Sequence, residues 1–258
     1  MLFLHVFWLK SHQKVSLMVV KTQGIVLKTI KYGDHSLIVD MLLALGERRS
    51  FVAHVSAGKK AKMRQLLFQP LSILELTYDD RAKNGLCRMQ GAAIVAPFSS
   101  IPIDASKTAM ALFLAEFLCY ATRDEQDNVP LFLYIEQSLR WLDGAMAPCP
   151  NFHLVLMMRL TRFIGFFPNT EDDQEGRYFD LLNGCFCEGV PSHGEVLTPD
   201  EASKIKTLMR LQYETMHLFK MTRAERARCV DVILRYYRLH VPGFPELKSL
   251  EVLKATFD

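Results

Sequence analysis

The sequence lacks a cysteine framework. Its 258 residues include six cysteines, at positions 87, 119, 149, 185, 187 and 229, and their spacing does not repeat. Small exported proteins that depend on disulfides carry dense, regularly spaced cysteines, so this pattern is atypical of a secreted chain. The scattered thiols, together with twelve methionines, predict a protein of the reducing cytoplasm.

The sequence also lacks a long hydrophobic run. The apolar stretch at residues 1–9 has no preceding lysine or arginine and no small-residue cleavage site after it. It is far too short to cross a bilayer, so we expect neither a signal peptide nor a membrane anchor. Met18 stands directly before a clean strand pattern. We therefore expect residues 1–17 to be an N-terminal extension, either loosely attached or not part of the native protein.

Motifs of common catalytic sites are absent as well. The chain has no G-x-x-x-x-G-K phosphate loop, no G-x-G-x-x-G, no G-x-S-x-G and no H-E-x-x-H. Half of the residues are hydrophobic and the formal net charge is only +3, which is an ordinary globular composition. We predict a protein that is not an enzyme and needs no cofactor.

The small net charge hides an uneven distribution. Between Met18 and Pro97 twelve basic residues stand against six acidic ones, whereas the chain from Phe98 onward carries a net charge of −5. A basic segment joined to an acidic one favours a polyanionic partner at the basic end. Solvated charge on a small β domain would give the same count, and charge alone does not separate the two interpretations.

Five short strands are predicted in the basic segment. Alternating or β-branched stretches occupy residues 22–30, 36–43, 49–55, 71–77 and 86–94, with turn-forming residues between them. A break after the third strand is typical of the OB-fold, a small Greek-key barrel that binds oligonucleotides across strands 2 and 3. An SH3-like barrel would show a similar pattern. We assign residues 18–97 to an OB-fold DNA-binding domain.

Helical periodicity replaces the strand pattern after Pro97. Apolar residues recur at helical spacing in residues 107–123, 130–142 and 152–167. Two capping boxes, at residues 198–201 and 222–225, open further helices, the second running to about Leu239. The predicted fold class is therefore α+β: an N-terminal OB-fold β-barrel followed by an all-helical C-terminal domain, residues 98–258, with an irregular insert at residues 169–196.

The strongest local signal for nucleic acid is a basic loop at residues 56–64. Four cations in six residues, next to Gly58, suit contact with successive phosphates, and such contacts weaken steeply with salt. The candidate DNA-binding residues are this loop and its neighbours on the strands: Lys28, Lys31, Arg48, Arg49, Lys59, Lys60, Lys62 and Arg64. Tyr32, Phe51 and His54 are candidates for base stacking. The alternative is that Phe51 belongs to the core and the lysines only solubilise a loop.

A zinc site is considered and not predicted. Cys185, Cys187 and His193 lie close together in the irregular insert, but a C-x-C pair is tighter than the usual zinc spacing and no fourth ligand is evident. We expect two thiols without a metal.

Taken in order, several segments resemble the RecO family of bacterial recombination mediators. The likeness covers residues 18–253 and rests on residues 21–28, the turn at 32–36, the basic loop, residues 113–118, residues 152–169 and the closing segment at 242–249. The resemblance implies binding of single- and double-stranded DNA, annealing of complementary strands and help in loading the RecA recombinase onto DNA coated by single-strand-binding protein (SSB). It also implies RecR and the acidic C-terminal tail of SSB as partners. Many members carry a four-cysteine zinc element, of which only Cys185 and Cys187 are present here.

Two surfaces of the helical part are candidates for binding the acidic tail, which needs a hydrophobic pocket rimmed by cations. One is the helix at residues 152–167, with Arg159, Arg162 and Phe163, and the other is the last long helix, with Arg235 and Arg238. Arginines near a helix C-terminus also complement the helix dipole without binding anything. Two broader alternatives stay open: a generic OB-fold nucleic-acid binder with a helical dimerisation module, and a scaffold whose basic face binds acidic proteins.

Overall fold

A five-stranded closed barrel forms the N-terminal part of the molecule. The computed structural model describes residues 19–55, 66–80, 85–95, 97–170 and 177–256. The strands are β1 (Val19–Lys31), β2 (Ser36–Leu43), β3 (Arg48–His54), β4 (Ile73–Asp79) and β5 (Cys87–Ile94), in the order β1-β2-β3-β5-β4. All neighbours pair antiparallel except β3 and β5, which pair parallel through Phe51↔Cys87 and Val52↔Arg88. This order confirms the predicted OB-like barrel.

Strand alternation explains the barrel interior. In β3, Phe51 and Ala53 are buried between residues that are more exposed, and β2 alternates in the same way from Ser36 to Met41. The inward side chains form one apolar cluster, in which Phe51 meets Tyr78 edge-on at 5.1 Å between ring centroids. Successive side chains of a strand point to opposite faces, so the outward residues of the same strands are available for other contacts.

Helices follow the barrel, as predicted. They are α1 (Ala105–Ala121), α2 (Val129–Gly144), α3 (Phe152–Leu160), α4 (Pro199–Arg210), α5 (Arg223–His240) and α6 (Leu250–Thr256), with a 3-10 turn at Met216–Leu218. Both predicted capping boxes are present. At the start of α5, Glu225 accepts a hydrogen bond from the Thr222 amide at 2.9 Å, and its own amide donates to the Thr222 hydroxyl at 3.2 Å. Within the described ranges, no helix is both long and apolar enough to span a membrane.

Two expectations for the helical part were wrong in detail. The helix predicted over residues 152–167 ends at Leu160, and residues 161–165 form turns in which Gly165 has a φ of +88°. A left-handed residue is incompatible with a continuing helix. The insert predicted as irregular contains a three-stranded sheet, β6 (Tyr178–Asp180), β7 (Cys185–Cys187) and β8 (Val196–Leu197), in the order β7-β6-β8. Strands of two or three residues are too short to leave a periodic signal in the sequence.

The barrel and the helices share a hydrophobic core. Ile25, Leu27, Leu42, Leu71 and Ile73 of the barrel side belong to the same buried cluster as the inward residues of α1, including Phe113 and Phe117. A bulge in β1 between Val26 and Lys28 accompanies a run of four buried residues, so this strand serves both the barrel interior and the shared core.

Polar contacts fix three connecting segments onto this core. In the β2–β3 turn, the Gly46 carbonyl accepts a hydrogen bond from the Asn128 amide at 3.2 Å, at the start of α2. The segment that leaves the barrel is held by Asp143 near the end of α2, which accepts hydrogen bonds from the amides of Ser99, Ser100 and Ile101. The closing segment is held by Glu116 of α1.

The carboxylate of Glu116 anchors the closing segment, residues 242–249, to α1. Its carboxylate accepts hydrogen bonds from the Lys248 amide at 3.2 Å and the Ser249 amide at 2.8 Å, and also from the Ser249 hydroxyl. Burial alone would raise the pKa of Glu116, but these hydrogen bonds lower it below its ordinary value. The Lys-Ser pair of this segment thus docks the chain end onto α1 through its backbone amides and one hydroxyl.

Candidate nucleic-acid interface

The outer face of β1, β2 and β3 presents an apolar strip beside a charged row. Ile30, Ile38 and Val52 are cross-strand partners in one row, and the next row contains Lys28. Directly paired residues point to the same side of a sheet, so these side chains form one surface. Ile30 is 43% exposed. We call Lys28, Ile30, Ile38, Val52 and His54 the strand face.

Rings available for stacking lie at one end of the strand face. His54 and His35 are exposed, with 6.4 Å between their ring centroids, and the His54 ring lies 3.5 Å from the Ser36 hydroxyl. Tyr32, in the β1–β2 turn, is 54% exposed. Phe51 is fully buried inside the barrel, so its proposed stacking role was wrong. The alternation of β3 places it inward, opposite to His54.

Three exposed cations lie on or beside the strand face. Lys28 and Lys31 of β1 are exposed, as the DNA-binding hypothesis requires, and neither forms an ion pair with any described residue. Arg88 of β5 is also exposed and is paired in register with Val52. Sequence reasoning did not select Arg88, because the β3–β5 pairing that brings it here is parallel and leaves no local signal.

Arg48 and Arg49 are engaged with protein partners. Arg48 donates from Nη1 to the Cys119 carbonyl at 2.6 Å, which connects β3 to α1. Arg49 forms ion pairs with Asp80 and, at 2.9 Å, with Glu47, and its guanidinium lies 5.5 Å from the centre of the Tyr78 ring. Burial by itself would lower the pKa of Arg49, but the hydrogen bonds to Asp80 and Glu47 raise it, so this charge is permanent. Arg49 therefore neutralises local carboxylates.

The basic loop lies outside the described residues. Lys59, Lys60, Lys62 and Arg64 are all within residues 56–65. Their part in DNA binding stays a prediction from the sequence.

The helical candidates for partner binding differ in exposure. Arg162 is exposed, with its guanidinium 4.1 Å from the centre of the Phe167 ring, whereas Arg159 donates to the Leu211 carbonyl at 3.1 Å. Phe163 is half-buried and stacks on Tyr134 at 4.7 Å between centroids. On α5, Arg235 forms an ion pair with Glu195 at 2.6 Å and Arg238 is exposed. Arg159 and Arg235 are therefore engaged with protein partners, whereas Arg162 and Arg238 are exposed.

An apolar groove with a basic rim lies elsewhere, between the start of α5 and α6. Val230 and Leu253 contribute apolar side chains, and Arg223, Arg226 and Lys254 provide the cations, around a cavity of about 110 Å³. Arg226 is held in place by a 3.0 Å hydrogen bond from its Nε to the Asn151 side chain. We call these five residues the basic groove. Sequence reasoning missed it because it needs residues from two helices whose packing is not visible in the sequence.

The two thiols of the insert lie at the ends of β7, in its short sheet. His193, near Cys185 and Cys187 in the sequence, approaches Asp180 at 3.2 Å through Nε2. Burial favours a higher pKa for Asp180, but hydrogen bonds from Asn183, His193 and Leu182 lower it, so its carboxylate is already used. Across the described ranges, no three His, Cys, Asp or Glu side chains are arranged to hold a metal ion.

Comparison with known proteins covers almost the whole chain. Two family models match, Recombination protein O N terminal over residues 18–98 and Recombination protein O C terminal over residues 103–251. A protein of Bacteroides fragilis described as DNA repair protein RecO is 51% identical over 242 residues, which are 93% of this chain and all of the relative. The corresponding proteins of Phocaeicola vulgatus and Flavobacterium psychrophilum are 50% and 34% identical, over the same shares of both chains.

Proposed function

Since this chain belongs to the RecO family of DNA repair proteins, we propose that it binds single-stranded DNA, anneals complementary strands and helps load the RecA recombinase onto SSB-coated DNA. In this proposal residues 18–97 bind DNA and residues 98–258 bind protein partners, among them RecR and the SSB tail. The protein acts by binding and catalyses no reaction, and it works in the cytoplasm, in keeping with six cysteines whose spacing does not repeat.

The observation that carries the DNA-binding proposal is the strand face. Apolar side chains on β1 to β3, exposed at Ile30 and half-buried at Ile38 and Val52, lie between Lys28 and Arg88 and end at exposed rings, His54 and Tyr32. Single strands are bound by such combinations: cations follow the backbone, and bases stack on rings with little preference for sequence. An acidic protein partner would match the cations but would leave the apolar strip and the rings without a role.

Annealing requires no bond chemistry. Two strands repel each other through their phosphates, and a basic surface lowers that repulsion by displacing condensed counterions. A face that stacks bases without selecting them can hold a strand extended and release it once it is paired. The same weak, salt-dependent binding therefore serves both capture and release.

Reversing the charges of the basic loop should weaken DNA binding. We expect the triple substitution Lys59→Glu, Lys60→Glu and Lys62→Glu to lower the affinity for a single-stranded oligonucleotide at least tenfold, for all base compositions alike, because each lysine supplies a phosphate contact. Fluorescence anisotropy at increasing KCl concentration measures both the affinity and its salt dependence.

A matched variant controls for net charge in this titration. Reversal of the exposed Lys21, Lys220 and Lys248 changes the total charge equally and should cost less than the loop substitutions. Equal losses in the two triple variants would exclude the loop as a specific contact. Absent or salt-insensitive binding by the unmodified protein would contradict the DNA-binding proposal itself.

We further propose that the SSB tail binds in the basic groove. An acidic peptide ending in phenylalanine needs an apolar floor for the ring and cations around it for the carboxylates. The basic groove combines the apolar side chains of Val230 and Leu253 with three cations around one cavity, and one of these cations, Lys254, also pairs with Asp231 at 3.5 Å.

A labelled acidic peptide ending in phenylalanine tests this placement. Arg223→Glu should weaken its binding about tenfold, since a cation at the rim becomes a repelling carboxylate. Arg162→Glu and Arg238→Glu make the same charge change on the two surfaces first predicted and should have smaller effects. A larger loss in either of these variants would move the tail site to that helix.

A further inference from the structure

A second basic feature lies where the barrel meets α1. An open pocket of about 380 Å³ is lined by Lys28 of β1, Asp40 of β2, Arg48 and Ser50 of β3, and Tyr120 and Arg123 at the end of α1. Lys28, Asp40 and Ser50 form one cross-strand row on the outer face of the barrel. We call this cavity the junction pocket. It shares Lys28 with the strand face, so the two surfaces are continuous.

The charges of the junction pocket do not balance. Three cations, Lys28, Arg48 and Arg123, face a single carboxylate, Asp40, which accepts a hydrogen bond from the Ser50 hydroxyl. Arg49 also borders the pocket, but Glu47 and Asp80 already match its charge. A local surplus of positive charge in a concave surface attracts an anion more strongly than the same charges on a convex one.

Arg48 is built into this surface with its charge uncompensated. Its hydrogen bonds go to the carbonyl of Cys119 at 2.6 Å and to the Cys119 sulfur at 3.7 Å, and both of these acceptors are neutral. Its Nε is buried and has no hydrogen-bond partner among the described residues. A guanidinium held by neutral acceptors keeps its full positive charge, and an anion in the pocket would compensate it.

Arg123 is positioned at the same opening from the helical side. Its guanidinium lies 5.2 Å from the centre of the Tyr120 ring, a cation–π distance that restrains the side chain without neutralising it. Cations thus reach one pocket from β1, from β3 and from the segment after α1. A nucleic-acid backbone carries one negative charge per nucleotide and fits an open pocket, since it must enter and leave.

We propose that the junction pocket binds a backbone phosphate of single-stranded DNA, so that the strand continues from the strand face onto the helical part through Arg123. This inference rests on the proposed DNA-binding function and adds a path for the strand. It assigns a DNA contact to a residue outside the barrel.

Salt titrations of single variants test the pocket. We expect Arg123→Gln and Lys28→Gln each to weaken binding of an oligothymidine of about twenty nucleotides five- to tenfold at about 50 mM KCl. Each should also reduce the slope of log Kd against log salt by about 0.7, the value for one lost phosphate contact on a single strand. Both side chains are exposed, so folding should be unaffected.

Matched controls remove the same charge elsewhere. Lys21 lies on the same strand as Lys28 and pairs with Glu75 at 2.9 Å, so Lys21→Gln is the control for Lys28→Gln. Arg140 lies on α2 and pairs with Glu136 at 2.7 Å, so Arg140→Gln is the control for Arg123→Gln. Both should change the affinity less than twofold and leave the slope unchanged.

If Arg123→Gln behaves like Arg140→Gln while the unmodified protein binds DNA, the junction pocket is not a phosphate site and the proposed function stands. If the unmodified protein does not bind the oligonucleotide, both proposals fail.

Discussion

Replacing Gly46 by alanine should destabilise the protein by about 4 kcal/mol or more. Gly46 has a φ of +81°, a conformation that costs an L-residue about 1–2 kcal/mol. A β-carbon there would also lie 2.1 Å from the Asn128 nitrogen and 2.3 Å from the Asn128 carbonyl carbon. Both are backbone atoms at the start of α2 and cannot rotate away, so the β2–β3 turn must move off the helix. Urea denaturation measures the loss of unfolding free energy.

Gly33→Ala is the matched control for this substitution. Gly33 has a similar φ of +69°, but an added β-carbon would meet nothing within 4 Å. This variant should therefore lose only the conformational part, about 1 kcal/mol. Equal destabilisation of the two variants would mean that the contact between the turn and α2 contributes nothing beyond backbone strain.

Replacing Asp143 by alanine should destabilise the protein by about 3 kcal/mol. Asp143 Oδ1 accepts from the Ser100 and Ile101 amides at 2.8 and 3.0 Å, and Oδ2 accepts from the Ser99 amide at 2.9 Å. Without the carboxylate, three consecutive amides in the segment that joins the barrel to α1 lose their hydrogen-bond acceptor. Asp143→Asn keeps the shape and one carbonyl oxygen, so it should lose less, and urea denaturation ranks the two variants. Equal losses would show that a single remaining oxygen contributes nothing and that both carboxylate oxygens are needed.

The contribution of Asp143 to the free energy of unfolding should also depend on pH. Burial by itself would raise its pKa, but the amides of Ser99, Ile101 and Ser100 outweigh this and lower the pKa from 3.8 to about 2. A carboxyl whose pKa is lower in the folded state stabilises fully above its unfolded pKa and loses that contribution as the pH falls through the folded value. The difference in unfolding free energy between the unmodified protein and Asp143→Asn should therefore shrink between about pH 4 and pH 2. A constant difference over this range would contradict the assigned role of the charge.

The barrel strands and two of the helix starts were predictable because their signals are local. Alternation in β2 and β3, turn residues between the strands and the two capping boxes can all be read within a few positions of the chain. The same reasoning failed for the helix that ends at Leu160, because apolar residues continue beyond it to Phe167 and the left-handed conformation of Gly165 is not visible in that pattern. An apolar run alone does not distinguish a helix from buried turns.

The candidate site was only partly predictable because its composition depends on distant partners. Arg48 and Arg49 look equivalent in the sequence, but one bonds to Cys119, 71 positions away, and the other to Asp80, 31 positions away. Arg88 and Arg123 were not selected because their neighbours come from a parallel strand pairing and from the packing of α1 against the barrel. Charge counts locate a basic region, but tertiary contacts decide which cations remain available.

The core shared by the barrel and α1 has a mechanical consequence. Ile25, Leu27 and Leu42 pack together with Phe113 and Phe117, and Asp143 ties down the segment between the two parts. A shared core of this kind restrains movement of the barrel relative to α1, and with it changes in the separation between the strand face and the helical surfaces. Under the proposed function, a DNA strand on the strand face and a protein tail in the basic groove would then be held at a restrained distance from each other. The order in which the two partners bind and leave would then depend on the rates of binding and release at each surface.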